Sequence, residues 1–271
     1  MRIQARYARR LAGLFTIGCL MVVLPTPGIK AAEGPSTEPG EHRRITLSPA
    51  QWNTLDGAVD RGLEYLSQHQ NPDGSFESPP LGQPAVTSFC VMAFLSRGHV
   101  PNQGPYGDQL SRAIDYVLSK QQPNGLFCDL PKGRQWNIFG AYHHPISGLM
   151  LGEVYGMTRP PQHDRIQRAI ERALAYSRAR QTAHTEPEEE RGGWRYLMVD
   201  QCNADLSSTG WQLMFLRSAK NAEFNVPQEH VDEAIAFVKR WWVMEAPTGQ
   251  RFCVVKTKHP ERGAAAWTNW D

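Results

Sequence analysis

The chain lacks most of the short signatures that announce a chemistry. Its 271 residues hold five cysteines and no Cys-x-x-Cys pair, which removes zinc ribbons and thioredoxin-like centres. No Gly-rich phosphate loop, Gly-x-Ser-x-Gly elbow or His-Glu-x-x-His pair occurs, so these nucleotide, hydrolase and zincin sites have no motif to rest on. The apolar run "LAGLFTIGCLMVVL" at 11–24 has 14 residues, short of the roughly 20 that a membrane span needs. An excess of charge is missing as well. Of the 29 basic residues, Arg2, Arg6, Arg9, Arg10 and Lys30 fall in the first 32 positions, and without them 24 face 27 acidic ones, a formal charge of −3. No nucleic-acid footprint remains in that part, so no nucleic-acid partner is expected.

What is present begins with "MRIQARYARR", four arginines and no acid, ahead of the apolar run. A basic n-region with a short h-region reads as a signal peptide over 1–32, cut after Ala31 or Ala32, and the protein as exported, periplasmic or secreted. The main variant is an uncleaved N-terminal anchor through residues 11–24, and the alternative is a cytosolic protein with a frayed basic end. Cys19 is a poor lipoprotein site, because Thr16 stands where leucine is usual. Residues 33–47 read as a polar linker. Cys90, Cys128, Cys202 and Cys253 then offer two disulfides in any of three connectivities, or four buried thiols.

The folded part, 48–271, repeats itself. "GLEYLSQHQNPDGSF" (62–76) and "AIDYVLSKQQPNGLF" (113–127) each place Gln-x-x-x-Gly-x-Phe behind an amphipathic helix. Ser48, Pro49 and Gln51 predict the start of the first helix through a capping box, and Trp52, Leu55, Val59, Leu63 and Leu66 give it an apolar face. "PAVTSFCVMAFLSRG", "YHHPISGLMLGEVYG" and "SSTGWQLMFLRSAKNA" are apolar nearly all round and predict buried helices; amphipathic stretches alternate with them. Phe76, Phe127, Trp194 and Phe252 close the turns at intervals of 51, 67 and 58 residues. Such periods predict an array of helix pairs in two layers. Gln70, Gly74, Phe76, Gln121, Gly125, Phe127, Gly193, Trp194 and Phe252 are its structural motif. The glutamine is expected to donate to orphan carbonyls at the end of its own helix, and the glycine to permit positive φ.

On these residues the chain resembles the prenyltransferase and squalene-cyclase superfamily, whose Gln…Gly…Trp/Phe turns join helices closed into an α/α toroid. "YHHPISGLMLGEVYGMT" and "GGWRY…STGWQLMFLRSAKNA…VP" are most similar to its exported squalene-cyclase-like proteins. The resemblance implies an all-α fold and an α/α toroid of which about half a ring is written here. It implies a truncated chain, an open arc, or a ring completed by a second copy or a partner chain.

The resemblance also says where chemistry would sit. Cyclases of this kind protonate an alkene from the middle acid of Asp-x-Asp-Asp-Thr, which requires a tuned carboxylic acid. With the family's threonine on Thr209, the first acid falls on Asp205, the middle one on Ser207 and the third on Ser208. A serine hydroxyl cannot protonate an alkene. The zinc-binding Asp-x-Cys pair of prenyltransferase subunits would also fall on Asp205 and Ser207, and serine is a poor zinc ligand. Asp200 and Cys202 are a shifted pair that His143 or His144 could join, although a surface acid beside a structural cysteine explains them more simply. Nor is there the Cys-Gly-Glu-Gln stretch of complement-type toroids.

His143, His144, Trp194, Asp205, Ser207 and Trp211 are therefore the cavity or ligand candidates, with Phe89 and Tyr196 as further aromatics. The run "EPEEER" (186–191) reads as a solvated loop. No metal and no cofactor are expected. The favoured function is a non-catalytic binding or scaffold protein with an apolar concave face for an isoprenoid or other apolar ligand. The first alternative is an isoprenoid-processing enzyme that takes its missing groups from elsewhere. The second is a carbohydrate-acting enzyme, by fold analogy alone, with Asp205 and Glu153 as its carboxylates.

Overall fold

The capping box written at Ser48 is what starts the first helix. In the computed structural model, which describes residues 47–182, 190–198, 204–241, 244–245 and 251–252, α1 runs Pro49–Gln68. The Gln51 N–H donates to Ser48 Oγ and the Ser48 N–H donates to Gln51 Oε1. There follow α2 (Ala85–Ser96), α3 (Gly107–Ser119), α4 (Arg134–Val154), α5 (Gln162–Thr182), α6 (Leu206–Asn221) and α7 (Gln228–Trp241). A short antiparallel pair, β1 (Met244–Glu245) and β2 (Arg251–Phe252), lies at the turn that Phe252 closes, and it sets Met244 against Phe252. The described fold is all-α apart from that pair. Among the described residues no helix is long and apolar enough to cross a membrane. The leader, Asp200, Cys202 and Cys253 lie outside the described residues; Cys90 and Cys128 are buried free thiols.

Helices α2, α4 and α6 pack side by side, with α4 in the middle; α1 and α3 lie on α2, α5 on α4, and α7 on α6. Two layers result, and one core of Phe94, Val117, Phe127, Met150, Ile170 and Phe215 runs through them. The contact between α4 and α6 is close because α4 carries glycine where it meets α6. A Cβ on Gly148 would stand 2.7 Å from the Phe215 ring, and one on Gly152 2.4 Å from Ser218 Oγ.

Three expectations need correction. Helix α4 starts at Arg134, eight residues before the expected start at Tyr142, and Pro145 lies inside it. Tertiary burial of this segment outweighs the lost backbone bond. The apolar face of α1 is buried only at Leu63 and half-buried at Leu66, while Trp52, Leu55 and Val59 stay exposed. Glu190, read as part of a solvated run, is buried and accepts from the Ala204 N–H at 3.2 Å.

Candidate functional site

Of the outer helices, α1, α3, α5 and α7, the first three are joined by turns to the inner ones, α2, α4 and α6. Gln70 Nε2 donates to Gly74 O at 3.0 Å and to Gln109 O in α3 at 2.9 Å. Gln121 Nε2 repeats this on Gly125 O and Ala169 O, at 3.1 and 2.8 Å. Gln181 does it a third time, on Gly192 O and His230 O, at 3.1 and 2.9 Å. The acceptors are the turn's own glycine and the next outer helix, so the expected bond to the glutamine's own helix end is replaced by one that crosses between units. The glycine faces the same neighbour. Gly125 has φ +94°, and a Cβ there would stand 2.3 Å from Arg172 O. The third such glycine is Gly192 (φ +87°), not Gly193. Gln181 escapes the sequence pattern because the polar stretch "TAHTEPEEER" (182–191) parts it from its glycine; its place at the end of α5, like Gln121 after α3, is the signal that could have found it.

Two residues after each of these glycines, an inner helix closes the turn. The backbone N–H of Phe76 donates to Thr87 Oγ1, that of Phe127 to His144 Nδ1, and that of Trp194 to Thr209 Oγ1, at 3.1, 3.2 and 3.0 Å. His144 therefore occupies the position that threonine holds in the other two units. Its Nε2 carries the proton and donates to Ser177 Oγ (3.0 Å), which donates to Gln212 Oε1 (2.8 Å). Both ring nitrogens are spent, and burial pushes the pKa down to about 3. Neighbouring His143 donates from Nε2 to Leu81 O (2.9 Å), and burial pushes its pKa down to about 4. Its Nδ1 makes no hydrogen bond among the described residues. Trp194 is core: it is 2% exposed, and its Nε1 donates to Ser177 O at 2.8 Å.

At the first position of the expected acid motif the carboxylate is taken up by the fold. Asp205 is the N-cap of α6, accepting from the Ser208 N–H at 2.7 Å, and it pairs with Arg195 Nη1 at 2.8 Å. Ser207 is exposed, its Oγ 3.4 Å from Tyr142 Oη. Beyond it, Trp211 on α6 meets Phe89 on α2 edge-on, ring centroids 5.6 Å apart. Phe89 is 41% and Phe139 of α4 is 36% exposed, so the inner helices present an aromatic face to solvent. Tyr196 instead lies under the Arg195 guanidinium, 4.2 Å from its ring centroid. Glu153 accepts from Ser218 Oγ (2.7 Å) near the far end of α6. Thirteen residues of α6 separate that contact from Asp205, about 20 Å along the axis, well beyond the 5–9.5 Å or so of a working glycosidase pair. Among the described residues no group of three or more histidine, cysteine, aspartate or glutamate side chains could hold a metal ion.

No protein-family model matches the chain. Among curated proteins, drimenyl diphosphate synthase of Streptomyces showdoensis is 26% identical over 183 residues, 67% of this chain and 30% of the synthase. The chain is thus distantly related to a terpene cyclase and spans less than a third of that relative's length.

Proposed function

We propose that this chain is an exported repeat protein of the α/α-toroid kind that holds an apolar, isoprenoid-sized ligand on its inner helices and does not initiate cyclisation by acid. Asp205 carries this reading. The one carboxylate left in the expected acid motif, at its first position, already has its oxygens engaged by the Ser208 N–H and Arg195, and the middle and third positions are the hydroxyls of Ser207 and Ser208. The exposed Phe89 and Phe139, with half-buried Trp211, supply apolar and π surface for such a ligand. The distant relation to a terpene cyclase supports the ligand class.

Equilibrium dialysis of the chain against labelled farnesol tests it. Saturable binding is expected, weakened about tenfold by Trp211→Ala; absence of binding, or equal binding by the variant, would sink it. The same relation favours a second reading, a cyclase whose acid comes from elsewhere. Conversion of squalene or farnesyl diphosphate to a cyclic product would put that reading in its place.

A further inference from the structure

The outer helices can be laid over one another through their turns. Gln121 and Gln181 each follow by twelve residues the backbone oxygen that accepts the preceding lock, Gln109 and Ala169. Twelve residues before Gln70 stands Ala58 of α1, so Val59 corresponds to Leu110 and Ile170, and Gly62 to Ala113 and Ala173. Those four counterparts are at most 1% exposed, on helices that pack against the preceding unit, α3 on α2 and α5 on α4 and α3. On α1 the same stripe is open: Trp52 is 50%, Leu55 45%, Val59 38% and Tyr65 58% exposed. A groove of about 450 Å³ runs along Ala50, Leu55 and Ala58, and one of about 710 Å³ begins beside Tyr65 and Leu66.

We propose that α1 is a self-association surface, covered by α1 of a second copy running antiparallel about a two-fold axis beside Ala58 and Val59. The equivalent stripe is a helix-packing surface in the following units, so it is suited to a helical cover. The order of its side chains makes it complementary to itself. About that axis Leu55 meets Gly62 of the second copy, and Val59 and Ala58 of the two copies flank the axis, so large residues fall against small ones at the pair's centre. Asp56 and Asp60, the acids beside the stripe, are already paired with Arg97 at 2.6 and 2.8 Å, which limits their repulsion across the contact. A contact of one patch with itself closes as a dimer, the commonest oligomer symmetry.

Sedimentation equilibrium of the full chain tests the assignment. A dimer is expected. Val59→Glu and Val59→Lys should each raise its dissociation constant about 30-fold or more, and an equimolar mixture of the two should regain a dimer. Circular dichroism, with Leu55→Ser as a second disrupting variant, separates dissociation from unfolding. A monomeric parent chain, a dimer indifferent to Val59→Glu, or a mixture that stays monomeric would each overturn the proposal. The first includes the case in which a segment of the same chain covers α1.

Discussion

A histidine in a threonine's place makes this fold sensitive to acid. His143 and His144 are neutral in the folded chain, with pKa values near 4 and 3, because burial disfavours their charged forms. In the unfolded chain they titrate near 6.5, so below that pH the unfolded state binds more protons. Stability is therefore complete above about pH 6.5 and falls as pH drops towards the folded values, by on the order of 3 kcal/mol per histidine near pH 4. Urea unfolding from pH 7 to 4 should show the midpoint dropping. His144→Thr keeps an acceptor for the Phe127 N–H, as Thr87 and Thr209 do for their turns. It should cost about 2 kcal/mol at pH 7 through the lost ring and Ser177 bond, yet show roughly half the acid slope. An unchanged slope would mean that His144 does not carry its share.

At the scale of the element, the turn rather than the helix is the demanding structure. Gly98, which follows α2 with φ +90°, has open space where a Cβ would go, so Gly98→Ala should cost only about 1 kcal/mol of backbone strain. Gly125 adds contact with Arg172 O to the same strain, and Gly125→Ala should cost about 3 kcal/mol or more. Equal losses for the two variants in chemical denaturation would mean that close approach between units matters little. Features encoded within a few residues were readable in advance: the capping box at Ser48, the positive φ at Gly74 and Gly125, and the buried helix at Ala85–Ser96. What depends on distant partners was not. Nothing near Phe127 tells that His144 will accept its N–H, and α4 hides its start because no capping side chain marks Gly133. For the site, the serines at 207 and 208, where the resemblance puts acids, were legible by position. The engagement of Asp205 needed Arg195 brought to 2.8 Å, and the aromatic face needed Phe89 and Trp211 brought together from separate helices.

Across the whole molecule, each helix is as protected as its neighbours make it. Helix α4 lies between α2 and α6 and contacts α5, whereas α1 packs on α2 and leaves its other face open. Hydrogen exchange on the Val59→Glu chain should show amides of residues 52–61 exchanging at least about 100-fold faster than those of 146–152. Uniform protection would argue for a single cooperative block.

The glutamine lock also bears on how such a chain can change in length. Gln70, Gln121 and Gln181 bridge the same gap with the same two donor bonds, so each works as a gauge that sets the pitch from one unit to the next. The gauge travels with its unit. Excising or duplicating a stretch between equivalent glutamines would leave the pitch elsewhere unchanged, whereas Gln121→Asn, shorter by one carbon–carbon bond of about 1.5 Å, would wedge the stack open at that joint alone.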